Sequence, residues 1–268
     1  MARDRMQKQR FELKYLINED TALRVRDFVR CYLDFDEYSV GKPNYSYPVH
    51  SLYLDSDTLH TYWTTINGDK NRYKMRVRYY SDSPGAPVFF EIKRRVNNCI
   101  MKQRGSVKKE MVPMLLNGMM PERDHLKSKN DSHLFALQRF VQLMGDIQAK
   151  PKVHIAYLRE AYVSDDDTVR VTIDRTVRGE PMLEPLIRVA MDPAHTVINF
   201  QNYMANCVIL ELKYTNRFPN WFRELVQIFN VMQSGAAKYL ESIQNIGFRK
   251  LKAVYPVVGD PVALSRFN

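Results

Sequence analysis

Four cations stand at alternate positions in Asn71-Arg-Tyr-Lys-Met-Arg-Val-Arg-Tyr-Tyr80: Arg72, Lys74, Arg76 and Arg78. Side chains of a β-strand point alternately to opposite faces. These four therefore share one face, and Tyr73, Met75, Val77 and Tyr79 share the other. Same-face neighbours lie roughly 7 Å apart, close to the reach of successive phosphates along an extended chain. Such a row neutralises and orients a polyanion. After the Pro84-Gly85 turn, Val88-Phe-Phe-Glu-Ile-Lys93 sets Glu91 and Lys93 opposite Val88, Phe90 and Ile92, and Ile100-Met-Lys-Gln-Arg104 adds Lys102 and Arg104. In an ordinary half-buried sheet the charged face is simply solvated. From these three strands alone that alternative stands.

The elements that must position these residues repeat the same division. Arg10-Phe-Glu-Leu-Lys-Tyr-Leu-Ile17 separates Arg10, Glu12 and Lys14 from Phe11, Leu13 and Tyr15. Tyr47 to Leu54 reads as a strand. Val153 to Ala161 places Tyr157 and Arg159 together, and Thr168 to Asp174 opposes Arg170, Thr172 and Asp174 to Val169, Val171 and Ile173. Cys207 to Tyr214 sets Glu211 and Lys213 against Val208, Leu210 and Leu212. Helical periodicity marks Glu19 to about Leu33, capped by Asn18, and Ser132 to Met144. It also marks Val107 to Leu116, a short helix begun at Ser56 or Asp57, and one begun at Pro219-Asn220. A last helix runs from about Gly235, capped by Ser234, to Ile246, with Lys238 in its first turn. His50, His60 and His154 lack ligand spacing and read as structural or exposed.

The chain has 268 residues, 45% of them hydrophobic, so it can bury a sizeable core; we expect one domain over 1–268. The formal charge of +10 attracts polyanions: nucleic acid, anionic membrane or phosphorylated metabolites. Cys31, Cys99 and Cys207 are too scattered for a disulfide framework or a zinc site, which points to a reducing cytoplasm. No apolar run approaches the roughly 20 residues of a membrane span.

Together the charged faces hold Arg10, Lys14, Arg72, Lys74, Arg76, Arg78, Lys93, Lys102, Arg104, Arg159, Arg170 and Lys213, against Glu12, Glu91, Asp174 and Glu211. The opposite faces are apolar, and several amphipathic helices need apolar surface to cover. The economical arrangement is an α+β fold: an antiparallel eight-stranded β-barrel with a charged lumen and helices packed outside. Crowded cations repel and resist desolvation unless the lumen is wet and holds a polyanion. Carboxylates among them serve as ion-pair partners or as ligands for a hard metal such as Mg²⁺ or Mn²⁺. A tunnel for a chain of phosphates, with a metal at one place, follows.

The sequence also resembles a known family. Arg10-Phe-Glu-Leu-Lys-Tyr15, Ser51-Leu-Tyr-Leu-Asp55, Lys74-Met-Arg-Val-Arg-Tyr79, Phe90-Glu-Ile-Lys93, Tyr157-Leu-Arg159, Val169-Arg-Val-Thr-Ile-Asp174, Leu210-Glu-Leu-Lys213 and Ala237-Lys-Tyr239 occur in the order expected of the VTC domain. That domain is the catalytic module of the vacuolar transporter chaperone polyphosphate polymerases, within the triphosphate tunnel metalloenzymes. The resemblance covers about residue 10 to 246. It implies an enzyme that moves the terminal phosphoryl group of ATP onto inorganic polyphosphate, with Mn²⁺ or Mg²⁺. Carried over by position, the phosphate ligands are Lys14, Arg76, Arg78, Lys93, Lys102, Arg104, Arg159, Arg170 and Lys238, with Tyr157 beside them. Of these, Arg76, Arg78, Lys93 and Lys238 are the expected catalytic residues. Glu211 is the expected metal ligand, with Glu12 and Glu91 as further candidates.

Two departures bear on the chemistry. Hydrolytic branches of the superfamily open with alternating acidic residues, whereas Arg10 stands at the first acidic position here, which favours the polymerase-like branch. Ala237 occupies a place where the family often has a hydroxyl residue. Alternatives are a metal-dependent inorganic or nucleoside triphosphatase, and a non-catalytic polyphosphate- or nucleic-acid-binding module. No nucleic acid is expected as partner, because the aromatics lie mainly on the faces opposite the cations. The resemblance allows a membrane protein partner.

Overall fold

The computed structural model describes residues 10–254 apart from Asn98 and Lys129. Strand β1 (Arg10–Ile17) leads into helix α1 (Glu19–Val29), followed by β2 (Asp34–Phe35), β3 (Ser46–Asp55) and α2 (His60–Ile66). Then come β4 (Asn71–Tyr79), β5 (Val88–Val96), β6 (Cys99–Val107), α3 (Val112–Leu116) and α4 (Asp131–Asp146). The chain continues through β7 (Lys150–Val163), β8 (Val169–Pro181), β9 (Val197–Ile198), β10 (Val208–Thr215), α5 (Asn220–Ile228) and α6 (Lys238–Ile246). The fold is α+β with a large antiparallel sheet.

The chain divides into two compact units. The first comprises, of the described residues, 10–47, 158–176 and 200–236. Its strands lie in the order β1, β10, β8, β7, with β2 on β7. β1 and β10 pair along their whole length, from Arg10↔Thr215 to Ile17↔Val208. That register puts Leu13, Tyr15 and Ile17 beside Leu212, Leu210 and Val208, where they bury with Val171 and Ile173 under α1 and α5. Asn18 starts α1 by accepting from Thr21 N at 2.8 Å, and Ala22, Val25 and Val29 form its buried stripe. The opposite face carries Glu12, Lys14, Glu211, Lys213 and Arg170.

The second unit comprises 48–157, 177–199 and 237–254 of the described residues. Here β3, β4, β5 and β6 pair in sequence. Their apolar face joins Leu52, Leu54, Met75, Val77, Phe90 and Ile92 to Leu115 of α3 and Leu137, Phe140 and Val141 of α4. Gly105 allows this approach: a Cβ there would meet Leu137 Cγ at 2.5 Å and the His133 carbonyl at 2.6 Å.

Among the described residues no pairing joins β1 to β6, the closure that a barrel would need. The outer edge of β1 is occupied by a segment of the first unit, with Ser234 N donating to Lys14 O at 2.9 Å and Tyr15 bridging Gln233. The outer edge of β6 is occupied in the second unit: Lys127 N donates to Ser106 O, Lys108 N donates to His125 O, and Val107 bridges Leu126. Each of these edges is thus taken by a segment of its own unit.

Three helix starts also differ from expectation. The helix expected from Val107 begins only at Val112, because β6 continues through Val107 and Pro113 is tolerated only in a first turn. The last helix begins at Lys238 rather than Gly235, since Ser234 is tied to β1 instead of capping. Helix α2 begins at His60, because Asp55 and Ser56 accept from its first amides while Asp57 pairs with Lys150 and Lys152.

One polar group lies on the apolar face. His50 Nδ1 sits 3.0 Å from His154 Nε2, and His154 Nδ1 sits 2.7 Å from the buried Glu180 carboxylate. Burial and His154 lower the His50 imidazole to about 4. The unfolded chain then binds a proton that the folded one refuses between about pH 4 and 6.5. The stability due to neutral His50 is thus present above pH 6.5 and lost as pH falls through 4, by up to about 3 kcal/mol. Denaturant titrations of wild type and His50→Gln across that range check this. The wild type should lose more stability on acidification, and equal losses would remove His50 as the cause.

Candidate functional site

In the second unit the charged face of β4, β5 and β6 forms cross-strand rows. Arg76 lies opposite Glu91, which lies opposite Arg104; Lys74 lies opposite Lys93, which lies opposite Lys102. Glu91 is almost fully buried and takes Arg76 at 2.7 Å, Lys102 at 2.8 Å and Arg104 at 3.8 Å. Arg78, also buried, donates to Ser51 Oγ at 3.1 Å and Tyr157 OH at 2.9 Å. The Lys238 ammonium, at the first position of α6, lies 4.9 Å from the Tyr157 ring centroid. Arg104 lies 3.5 Å over the Phe89 ring. This unit therefore brings together Arg76, Arg78, Lys93, Lys102, Arg104, Tyr157, Lys238 and Glu91.

Cations dominate the field here. Burial raises the Glu91 carboxyl, but Arg76, Arg78 and Lys102 outweigh it and hold the group well below the usual carboxylate range. Burial likewise raises the Tyr53 phenol, and again Arg76, Arg78 and Lys238 outweigh it, leaving a tyrosine below its ordinary value. Nearly half of the Lys102 side chain meets solvent, yet its ammonium end lies against buried Glu91. Desolvation, with Arg76 and Arg78, pulls that ammonium down to about 7 against the attraction of Glu91. The Glu91 and Tyr53 shifts record positive charge that a bound anion would relieve, whereas the Lys102 shift records burial first and its arginine neighbours second.

The first unit builds a second cluster around Glu211. Its Oε1 lies 3.4 Å from Lys14, and its Oε2 lies 3.4 Å from Arg159 and accepts from Thr172 at 3.2 Å and from Lys213 at 2.5 Å. Arg159 also grips the buried Asp174 through two bonds of 2.7 Å. Desolvation and Arg159 bring Lys213 down to about 8 against Glu211. Arg170 faces the same side in register with Lys213 and pairs with Asp36.

Mg²⁺ and Mn²⁺ take oxygen ligands, and Mg²⁺ usually binds through one or two carboxylates plus substrate phosphates. Glu12 and Glu211 supply two carboxylates close together, at 3.2 and 3.4 Å from the Lys14 ammonium, and Glu211 would exchange its contacts with Lys14, Arg159 and Lys213 for the metal. Among the described residues no group of three His, Cys, Asp or Glu could hold a metal alone. The remaining ligands would then be phosphate oxygens and water. Glu91 would have to exchange its contacts with Arg76 and Lys102 for a metal. We expect Glu211→Gln to bind metal-free tripolyphosphate at least as tightly as wild type, because one negative charge is gone, while metal-dependent turnover falls. Calorimetric titration beside a turnover assay checks both. Unchanged turnover and metal dependence would make Glu211 an ion-pair partner only.

Several contributors escaped the sequence reading. Tyr53 accepts from Arg76 at 3.0 Å and stacks on Tyr239 with centroids 4.9 Å apart. Tyr239 donates to the buried Asp55 carboxylate at 2.7 Å, and Asp55 also accepts from Thr61 and Tyr62 of α2. One carboxylate thus anchors the first turns of α2 and α6, and with α6 the position of Lys238.

A family model described as VTC domain matches residues 9–246. A search of curated proteins gives no match. Among solved structures, a candidate adenylate cyclase from Bacillus halodurans is 12% identical, with 88% of this chain and 96% of that one covered and a TM-score of 0.48. A second, from Vibrio parahaemolyticus, is 11% identical over 86% and 95%, with a TM-score of 0.40.

Proposed function

This chain belongs to the VTC-domain family, and on that premise we propose that it is a polyphosphate polymerase, transferring the terminal phosphoryl group of ATP to inorganic polyphosphate. The observation that carries the reading is the cation-rich face of β4, β5 and β6, where Arg76, Arg78, Lys102 and Arg104 face one buried carboxylate. Phosphoryl transfer depends on positioning and charge neutralisation more than on covalent chemistry by the protein. In the proposed step a terminal oxygen of the chain attacks the γ-phosphorus as the bond to the β-bridging oxygen breaks, and ADP leaves with that electron pair. The attacking oxygen is already anionic, so no base has to remove a proton from it. Arg76 and Arg78 hold the equatorial oxygens, Lys93 and Lys102 hold the neighbouring phosphates, and Lys238 with Tyr157 borders them.

In the first unit, Glu12 and Glu211 would hold Mn²⁺ or Mg²⁺ together with phosphate oxygens, and the ion would supply charge neutralisation there. Lys14, Arg159 and Arg170 would bind phosphate beside it. We place the reaction in the cytoplasm, where ATP is available, with a membrane protein partner as the route to export. Among the described residues no helix is long and apolar enough to cross a membrane. The test is incubation of pure protein with ATP and Mn²⁺, resolving products on a gel. A ladder of long polyphosphate with stoichiometric ADP supports the reading. Orthophosphate alone makes the protein a triphosphatase, and no turnover with retained phosphate binding makes it a binding module.

A further inference from the structure

The charged face of β4 and β5 does not end at the three-lysine row. One step further, roughly 7 Å along the strands, Arg72 lies directly opposite Arg95. Like charges in this position destabilise a strand pair. Neither guanidinium forms an ion pair with a carboxylate among the described residues. Arg72 instead donates to the Asp69 carbonyl, and Arg95 Nε donates to the Asn97 carbonyl at 3.0 Å. Burial and the neighbouring Arg95 lower Arg72 below its ordinary value, with Asp69 offsetting only part. Exposure increases along each of the two strands, on β4 from buried Arg78 to half-buried Arg72 and on β5 from buried Glu91 through half-buried Lys93 to exposed Arg95.

We propose that the Arg72–Arg95 row is an outer subsite for inorganic polyphosphate, which holds the part of a long chain extending beyond the inner rows towards the β5–β6 hairpin. This rests on the reading that the inner rows bind phosphate. Three successive rows two residues apart give an extended polyanion a continuous run of cations. Tyr73 lies on the opposite face of the sheet, so the outer row lacks the interleaved ring on which a single-stranded nucleic acid would stack its bases.

Tripolyphosphate is short enough to fill the inner rows alone, whereas a chain of many phosphates also reaches the outer one. The test compares both ligands on wild type and on the Arg72→Ala/Arg95→Ala double variant. Long-chain affinity should fall about tenfold, and its log–log salt slope should shallow by roughly one to two units. Tripolyphosphate affinity should change less than about twofold, which also reports an intact fold. Should the double variant not fold, Arg95→Ala alone carries the test, since Arg95 is exposed. Unchanged long-chain affinity, or equal losses for both ligands, overturns the outer subsite. A single-stranded oligonucleotide that displaces long polyphosphate from wild type but not from the variant overturns the ligand class. Wild type that fails to bind tripolyphosphate overturns the inner site, and with it the proposed function.

Discussion

We expect Arg78→Ala to turn over ATP about 10²–10³-fold more slowly than wild type, the size that follows when one preorganised charge is removed from a phosphoryl-transfer site. Tripolyphosphate also binds more weakly, because a cation held between Ser51 and Tyr157 has gone. Arg78→Lys recovers part of the binding and little of the rate, since an ammonium keeps the charge but not the fork of donors. Single-turnover measurements at saturating ATP separate the two effects. If Arg78→Ala turns over at the wild-type rate, Arg78 is a structural link between β3, β4 and β7.

Glu91→Ala acts on the fold. It leaves Arg76, Lys102 and Arg104 facing one another without the buried carboxylate that they share. Removing one partner of a buried ion pair destabilises by about 3–5 kcal/mol, and here three cations lose the same partner. Tripolyphosphate should stabilise this variant more than it stabilises wild type, because it restores negative charge to the same place. Thermal melts with and without tripolyphosphate report both results. A variant as stable as wild type, or one that the ligand does not stabilise further, would mean that water already screens these cations.

Period-two alternation made the charged faces legible. β1 was readable to both ends, and Arg76, Arg78, Lys93, Lys102 and Arg104 share one face of β4, β5 and β6 as the alternation requires. The reading of β5 stopped at Lys93 and missed Arg95, because Arg94 breaks the apolar side of the pattern just where the strand reaches solvent. β3 hid its contribution differently. Ser51, Tyr53 and Asp55 alternate with Leu52 and Leu54 but read as part of a near-continuous apolar run, so their side of the strand carried no signal. Nor could alternation pair one strand with another. The contact of Glu211 with Lys14 joins residues far apart in sequence and depends on the register of β1 with β10. Occupation of the β1 edge by 233–234 and of the β6 edge by 125–127 depends on loops without periodicity, so these edge contacts could not be foreseen.

The affinity for tripolyphosphate as a function of salt tests most directly whether these cations bind a phosphate chain. Each cation that neutralises a phosphate releases counterions, so the logarithm of affinity falls linearly with the logarithm of salt concentration, with a slope set by the number of contacts. Four or more contacts predict a loss of an order of magnitude or more between about 50 and 200 mM salt. An affinity that stays level over that range would show that the basic faces are solvated surface, and the polymerase reading would go with them.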